Sequence, residues 1–438
     1  MMGSIRKILT VALAAALVLC AGWWVWGRGG GGVGGAVTVR FWNGFTGPDG
    51  RTMLRMVKRF NRENPDVHVL MQRMDWATYY NKLFVAGMGE RAPEVFVIHV
   101  ANLPRFHRAK FIHPVDDLAA ADGGFDARSL DASCWDAVAF GGRHLGIPLD
   151  VHPQGLYYNK RLFREAGIVD EAGRARPPTN REEFLDAAER MTKDLDGDGR
   201  PDQWGFAFTH ILNNFQTLMP QFGGSYFGAD GSCTLEDPRN VEALAFGVEL
   251  IRGRRCAPPP EDMHAWIGFR QGKVAMVFEG VYMLQALLRQ KDLDFGGAPI
   301  PVLGRRAGTH ADSHTLCIRA GLDERRVEAS WRLTRFLSDN SLEWSGGGQV
   351  PVRTALRTTR EFAAMDVQSQ YARQMPYLNF PPRVPFLFEF RSEFNRALER
   401  ALRGRATPAE ALADAARKTR DVIERDRRMY AGRAEGGP

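Results

Sequence analysis

The chain lacks the patterns that mark the common hydrolases and nucleic-acid-binding proteins. Its 438 residues contain no Gly-x-Ser-x-Gly elbow, no His-Glu-x-x-His motif and no phosphate-binding P-loop. The net charge is +7, yet basic and acidic residues are interspersed, and no block of five or six basic residues occurs. We therefore expect neither these catalytic classes nor a nucleic-acid partner.

Cysteine is scarce, with five residues in the whole chain. Cys20 lies in an apolar N-terminal run, which leaves Cys134, Cys233, Cys256 and Cys317 for the remainder. Four exported cysteines allow three pairings, and the sequence alone does not choose between a disulfide and buried free thiols. A nucleophilic Cys134 would need a histidine beside it, and its sequence neighbours include none, so an enzyme is the disfavoured alternative.

Long apolar runs are absent except at the amino terminus. Two basic residues precede an uncharged run from Ile8 to Trp26, and glycines follow as far as residue 35. At about 1.5 Å per residue this run approaches the ~30 Å hydrocarbon core. Residues 1–35 therefore predict export, either as a cleaved signal peptide or as a membrane anchor with a glycine-rich tether. A lipoprotein site at Cys20 is less favoured, because Leu19 precedes it.

The rest of the chain alternates β-like and helical patterns. Residues 37–41 alternate as in a strand, a helix is expected from Asp49, and a second strand begins at 67. Buried strands are also predicted at 95–98 and 272–278. Strands that alternate with helices indicate a mainly parallel α/β fold.

Five segments, in order along the chain, carry a resemblance to a known family. They are FWNGFTGPDG at 41–50, GIPLDVHPQGLYYNK at 146–160, DGDGRPDQWGF at 196–206, FRQGKVAMVFEG at 269–280 and GGQVPVR at 347–353. Together they resemble the extracellular solute-binding proteins of ABC importers, in the sugar-binding group that includes maltose-binding protein. The resemblance extends over nearly all of residues 37–425.

The resemblance implies a two-lobed periplasmic-binding-protein fold of type II, with the ligand held between two α/β lobes. Such proteins close when a solute contacts both lobes. The expected lobes are 37–147 with 281–338, and 150–278 with 342–430. The expected crossings lie near 147–151, 278–280 and 338–342.

The resemblance also implies partners and a location. We expect a monomer without a cofactor, in the periplasm or on the outer face of the cytoplasmic membrane, tethered through the N-terminal segment. It would capture a mono- or oligosaccharide and deliver it to the membrane subunits of an ABC permease. A phosphorylated polyol such as glycerol 3-phosphate is the alternative ligand, and a ligand-sensing module is the alternative role.

A sugar site needs flat aromatic surfaces beside hydrogen-bonding groups, because sugar rings have apolar faces and hydroxyl edges. Such residues follow several predicted strands, and others lie in segments that line the cleft in the family. The expected ligand-binding residues are Trp42, Asn43, Phe45, Asp75, Trp76, His99, Asn102, Asp150, Asn213, Asn214, Tyr226, Glu279, Tyr282, Glu389 and Arg391.

One acidic loop resembles a calcium site. Its carboxylates stand at loop positions 1, 3, 5 and 9, but Gly205 takes the place of the bidentate glutamate at position 12. The sequence favours a surface turn, with weak structural calcium as the alternative. The four candidate ligands are Asp194, Asp196, Asp198 and Asp202.

A pair of histidines also has the spacing of a zinc site. His310 and His314 flank Asp312, but no further histidine stands nearby in the sequence. We therefore predict a polar loop at this place.

Overall fold

The computed structural model describes residues 35–89 and 91–434. The predicted export segment, apart from its last residue, lies outside these residues, and so does Cys20. Among the described ranges, no helix is both long enough and apolar enough to cross a bilayer.

The strands and helices are numbered in chain order. The strands are β1 (Val37–Asn43), β2 (Val67–Arg73), β3 (Val95–His99), β4 (Ile112–His113), β5 (Ala139–Phe140), β6 (Arg143–His144), β7 (Ile147–Pro148), β8 (Asp150–Asn159), β9 (Trp204–Ala207), β10 (Val274–Gly280), β11 (Phe295–Ala298), β12 (Thr309–Asp312), β13 (His314–Arg319), β14 (Val350–Pro351) and β15 (Leu378–Asn379). The α-helices are α1 (Pro48–Glu63), α2 (Trp76–Met88), α3 (Leu103–Arg108), α4 (Asp116–Ala121), α5 (Ala132–Ala137), α6 (Lys160–Glu165), α7 (Arg181–Arg190), α8 (Ile211–Gln221), α9 (Pro238–Val248), α10 (Ala265–Arg270), α11 (Leu284–Leu287), α12 (Glu324–Asp339), α13 (Ser341–Ser345), α14 (Thr354–Arg357), α15 (Arg360–Ala363), α16 (Asp366–Ala372), α17 (Leu387–Leu402) and α18 (Pro408–Ala434).

The first sheet has the order β2-β1-β3-β13-β4, and β7 pairs with β13. Strand β1 runs parallel to both β2 and β3. Helix α1, which connects β1 to β2, buries an apolar face that includes Met53, Val57 and Phe60. The predicted strand–helix–strand start is therefore confirmed. Strand β13 joins this sheet antiparallel to β3, which brings residues from 314 onward beside the first strands.

The second sheet is organised around β8, all ten residues of which are buried. Its order is β15-β12-β8-β10-β9, and β11 and β14 also pair with β8. Strand β10 runs along β8 on one side. Strands β11 and β12 pair in turn with residues 156–159 and 152–153 of the same strand.

The chain passes between the two sheets through single residues. Leu149 separates β7 of the first sheet from β8 of the second, and Ser313 separates β12 of the second from β13 of the first. The sheet pairing thus differs from the expected placement of 281–338 in lobe one. Residues 295–312 continue along β8 because its long buried edge offers them backbone partners, and the passage occurs at Ser313 rather than near 278–280.

The four cysteines among the described residues are free and buried. Burial raises the pKa of the Cys256 thiol to about 12 and raises those of Cys134, Cys233 and Cys317 as well. The alternative of buried free thiols is therefore the one that the structure shows.

Candidate functional site

A cavity of about 530 Å³ lies between the two sheets. This volume falls within the ~300–1,000 Å³ that small-molecule sites occupy. The elements of the first sheet contribute the loop after β1, the start of α2 and the ends of β3 and β13. The second sheet contributes residues of β8 and β12, and helices α8 and α17 contribute further residues. The principal side chains on the cavity wall are Thr46, Asp49, Trp76, Tyr80, His99, Asn102, His152, Gln154, Asn213, Tyr282, Gln285, His310, Asp312, His314, Gln349 and Arg391.

Six of the residues expected from the sequence lie on this wall, and they come from both sheets. They are Trp76, His99, Asn102, Asn213, Tyr282 and Arg391. The structure thus brings together residues more than 300 positions apart in the chain.

Several expected residues from the first strands lie elsewhere. Asn43 and Phe45 are fully buried, and the Asn43 side chain accepts the backbone N–H of Phe45. Trp42 packs on an apolar cluster behind β1, and its carbonyl accepts a hydrogen bond from Tyr79. Asp75 caps the amino end of α2 by accepting the Thr78 N–H. These side chains build the loop and the helix that carry Trp76.

Four further expected residues, from β10, from helices α8 and α17 and from the loop after α8, also lie off the cavity wall. Asn214 points away from the cavity and donates to the carbonyl of Phe278, because it lies on the buried face of α8. Tyr226 packs edge-on against Phe390 and Phe394. Glu389 is exposed on α17, two residues from the cavity-lining Arg391. Glu279 is buried behind Tyr282, and burial raises the pKa of its carboxyl.

Asp150 lies behind the cavity wall, where it holds two histidines. Its carboxylate accepts from His314 Nδ1 at 2.7 Å, from His152 Nδ1 at 3.3 Å and from Trp344 Nε1 at 2.5 Å, and it also accepts the His314 backbone N–H. Burial alone would raise the pKa of Asp150, but His314 and His152 bring it well below its ordinary value. We call Asp150, His152, His314 and Trp344 the Asp150 cluster.

A third histidine faces the Asp150 cluster. The ring of His99 lies 4.6 Å from that of His314 and 5.4 Å from that of His152, measured between centroids. Its Nδ1 lies 2.5 Å from the hydroxyl oxygen of Tyr80. Burial, followed by the nearby His314 and His152, holds the pKa of His99 well below its ordinary value, so the ring is neutral near pH 7.

The polar loop predicted around His310 and His314 is wrong. His310 lies in β12 and His314 in β13, and both are buried. Antiparallel pairing supplies the histidine neighbours that the local sequence lacks, since His314 pairs with His99 and Asp312 pairs with His152. The spacing of His310, Asp312 and His314 could have indicated extended strands at this place, because residues two apart face the same side of a strand.

Arg391 brings a positive charge to the cavity without a matching carboxylate. Among residues 35–89 and 91–434 it forms no ion pair, and its Nε is buried without a hydrogen-bond partner. Its one contact of hydrogen-bond type is a 3.5 Å approach to the Gln216 side chain. Burial lowers the pKa of Arg391, and the nearby Asp312 opposes that change. The Arg391 Nε–H is therefore a buried donor that has no acceptor among the described residues.

Aromatic rings stand on two sides of the cavity. Tyr282 is 37% exposed, and its ring lies so close over Gly280 that a Cβ there would overlap it. Trp76 lies equally close to Gly44 and stacks on His314 with an interplanar angle of 13°. Both glycines are thus required by close approach of a ring rather than by backbone conformation.

The acidic loop at 194–202 is exposed and remote from this cavity. Asp194 accepts the backbone N–H groups of Gly197 and Gly199, as in an Asx-rich turn. One carboxylate oxygen from each of Asp194, Asp196 and Asp202 lies within 4.8 Å of the others. Gly205 cannot be the bidentate glutamate of a full calcium loop, because a Cβ there would overlap the Ala188 carbonyl.

The comparisons with known proteins agree on one family. The family model described as bacterial extracellular solute-binding protein matches residues 44–316. The putative ABC transporter periplasmic-binding protein YcjN of Escherichia coli K12 is 24% identical over 334 residues, which cover 72% of each chain. The sn-glycerol-3-phosphate-binding periplasmic protein UgpB of Salmonella typhimurium is 22% identical, covering 89% of this chain and 93% of its own.

Solved structures of similar proteins share the fold. The sugar-binding protein MalE of Xanthomonas citri superposes with a TM-score of 0.78 at 21% identity, covering 92% of this chain and 100% of that one. The substrate-binding protein Lmo0181 of Listeria monocytogenes, in complex with cycloalternan, gives 0.77 at 21% identity over 89% of this chain and 99% of that one. The two-lobed architecture expected from the sequence is confirmed.

Proposed function

The chain belongs to the bacterial extracellular solute-binding proteins, and from this premise we propose that it captures a carbohydrate between its lobes for an ABC importer. The observation that carries the proposal is the cavity between the two sheets, with Tyr282 and Trp76 beside unpaired polar groups. Two structurally similar proteins are described as bound to cycloalternan and to maltotriose, and a third as a cyclic maltosyl-maltose binding protein, which supports the same ligand class.

The polar lining matches the edge of a sugar ring. Gln154 uses its side-chain oxygen to accept from Thr217, but its Nε2 is buried without a partner on the cavity side of β8. A buried donor without an acceptor costs about 1–3 kcal/mol. A ligand hydroxyl would remove that cost, as would hydroxyls that reach Asn102 and Asn213 on the same wall.

The single-residue crossings support closure as the working motion. We assign 37–148 with 314–345 to lobe one, and 150–312 with 350–434 to lobe two. Rotation about Leu149, Ser313 and the third connection at 346–349 would bring Trp76 and His99 toward Gln154 and Arg391. A solute that contacts both sets stabilises the closed form, which the permease then recognises.

We assign the chain a binding role without catalysis. Cys134, the nucleophile considered from the sequence, is fully buried in the core. Burial raises the pKa of its thiol well above the ordinary value, which is the opposite of an activated cysteine.

A second candidate ligand is a phosphorylated polyol such as glycerol 3-phosphate. Arg391 favours it, because a guanidinium without a carboxylate partner suits a phosphate group. UgpB proteins, described as binding sn-glycerol 3-phosphate, are among the relatives of the chain. The sugar remains the first candidate, because Trp76, Tyr80 and Tyr282 line the cavity, whereas Arg391 is the one lysine or arginine among its described lining residues.

Titration calorimetry of the purified chain against mono- and oligosaccharides and glycerol 3-phosphate tests both candidates. We expect saturable binding of at least one sugar, with Arg391→Gln weakening it modestly. Arg383→Gln, on an arginine outside the cavity, serves as the matched control. Binding of glycerol 3-phosphate alone, lost in Arg391→Gln, would replace the first candidate with the second. No binding of either class would contradict the proposal.

We further propose that the protein is exported and held at the membrane by residues 1–35. The support is the apolar run in that segment and the extracellular family to which the chain belongs. Mass spectrometry of the mature amino terminus distinguishes a retained anchor from cleavage and from a lipid-modified Cys20.

A further inference from the structure

Three histidines from separate strands converge at the cavity. His99 ends β3, His152 lies in β8 and His314 begins β13. One ring nitrogen from each lies within 4.8 Å of those of the other two. A zinc ion with Zn–N distances of ~2.0–2.1 Å in tetrahedral geometry needs nitrogens about 3.3 Å apart. Binding would therefore draw the three nitrogens together from separations of up to 4.8 Å.

The Nδ1 atoms of these rings are already held by oxygen atoms. The Asp150 carboxylate accepts from the Nδ1 atoms of His152 and His314, and the Tyr80 hydroxyl lies beside that of His99. In the part of the chain that the structure describes, no hydrogen bond reaches the three Nε2 atoms. A carboxylate on Nδ1 fixes the tautomer that leaves an Nε2 lone pair free, as it does for histidine ligands of metals.

The surrounding charges suit a divalent cation. Asp150 is buried directly behind two of the rings and accepts hydrogen bonds from both of their Nδ1 atoms, so its carboxylate offsets charge gained at the site. Asp312 also lines the cavity, on the same strand face as His310. Arg391 is the one lysine or arginine among the described residues that line the cavity, and the nearby Asp312 partly offsets its charge.

We propose that His99, His152 and His314 form a binding site for a divalent transition-metal ion of the zinc class. Imidazole nitrogens suit Zn²⁺, Ni²⁺, Cu²⁺ and Co²⁺ and disfavour Ca²⁺ and Mg²⁺. Three protein ligands leave a fourth position open, and all three histidines line the cavity.

The site would join the two lobes. His99 and His314 belong to the first sheet, whereas His152 belongs to the second, on the far side of the Leu149 crossing. A bound ion would therefore hold the lobes together. With the proposed solute-binding function as its basis, the open position also gives a hydroxyl or carboxylate of the solute a direct metal contact.

Metal binding to the full-length chain, purified in mild detergent and stripped with EDTA, tests the inference. We expect one equivalent of Zn²⁺ by calorimetry and, for Co²⁺, the visible absorption of a low-coordinate histidine site. His99→Gln, His152→Gln and His314→Gln should each weaken binding by about 100-fold or more, since loss of even a supporting partner costs 10–100-fold. Failure of the unaltered chain to bind Zn²⁺ would overturn the site.

Two controls separate this site from its neighbours. His310→Gln removes a histidine from the same cavity wall and should leave Zn²⁺ affinity unchanged. Asp196→Asn alters the acidic loop and should do the same. His99 has no hydrogen bond to Asp150, so His99→Gln tests binding without disturbing that carboxylate; retention of wild-type affinity in this variant would contradict the inference.

Separate titrations can refute the metal site and the proposed solute-binding function independently. Zn²⁺ is titrated without any solute, and the solutes are titrated again in EDTA. Solute binding without Zn²⁺ binding would remove the metal site and leave the proposed function intact. Zn²⁺ binding without any solute binding would leave the metal site intact and contradict the proposed function.

Discussion

The Asp150 cluster and the acidic loop at 194–202 both gather metal-type ligands, but they use their carboxylates in opposite ways. In the cluster, one buried carboxylate accepts from two histidines and a tryptophan. In the loop, exposed carboxylates accept backbone N–H groups from their own turn. The cluster therefore orders side chains at a cavity between lobes, whereas the loop orders only itself.

The difference shows that ligand type and burial matter more than ligand spacing. His152 and His314 of the cluster, together with His99, place three candidate ligand atoms within 4.8 Å of one another, and so do Asp194, Asp196 and Asp202 of the loop. Imidazoles backed by a buried carboxylate select transition metals, while exposed carboxylates suit calcium. Four measurements test this difference.

Asp150→Ala should cause the largest loss of stability. It leaves Trp344 Nε1 and the His314 donors buried without an acceptor, and removal of one partner from a buried charged network costs ~3–5 kcal/mol. Urea unfolding followed by tryptophan fluorescence measures the change. Asp194→Ala in the loop is the matched control and should shift the midpoint far less. Equal shifts in the two variants would contradict the larger stabilising role that we assign to the buried carboxylate.

Tyr282→Ala should weaken solute binding by about tenfold, or ~1.4 kcal/mol, through loss of an exposed ring face at the cavity. Calorimetry with the best solute gives the affinity. Asp196→Asn in the loop should leave that affinity unchanged. An effect of the loop variant equal to that of Tyr282→Ala would show that the loop, too, contributes to the site.

Calcium should bind the acidic loop weakly, with a Kd of about 10⁻³ M or above, because Gly205 supplies no carboxylate at the twelfth position. Thermal melts at increasing Ca²⁺ measure the effect, and Asp194→Asn combined with Asp196→Asn should abolish it. Micromolar binding would mean that another ligand completes the loop.

The smallest effect concerns the pH dependence of the loop. Backbone N–H groups of Gly199 and Gly197 lower the pKa of Asp194. A lowered pKa means that the stabilisation is present above the unfolded value of ~3.9 and is lost as pH falls through the folded value. The difference in urea midpoint between the unaltered chain and Asp194→Ala should thus shrink below about pH 4. A difference that stays constant down to pH 2 would contradict the assigned hydrogen bonds.

Much of the fold followed from local patterns, whereas the site followed only in part. The alternation in β1 and the apolar face of α1 are local, so the strand–helix–strand start was predictable. Trp76, His99 and Asn102 follow strand ends, where open α/β sheets place ligands. The partnership of His314 with Asp150 and His99 was not predictable, because it depends on antiparallel pairing between strands more than 160 residues apart.

The same limit explains the residues that were misplaced. Asn43 ends β1 and Phe45 follows it, much as Trp76 follows β2, yet the side chains of Asn43 and Phe45 are buried and support the loop from within. Phe45 and Trp76 are both aromatic residues that stand just after a strand, so the local sequence does not distinguish a buried ring from one on the cavity wall. The distinction arises from Trp344 and His314, whose rings pack on Phe45 from distant parts of the chain.

The buried cysteines give the molecule an experimental use. All four thiols in the described residues are shielded from solvent, and burial raises the pKa of each. In a chain with Cys20 replaced, Gln285→Cys would present the accessible thiol at the cavity wall. A fluorophore attached there would report lobe closure in real time, so the protein could serve as a reagentless optical sensor for its own solute.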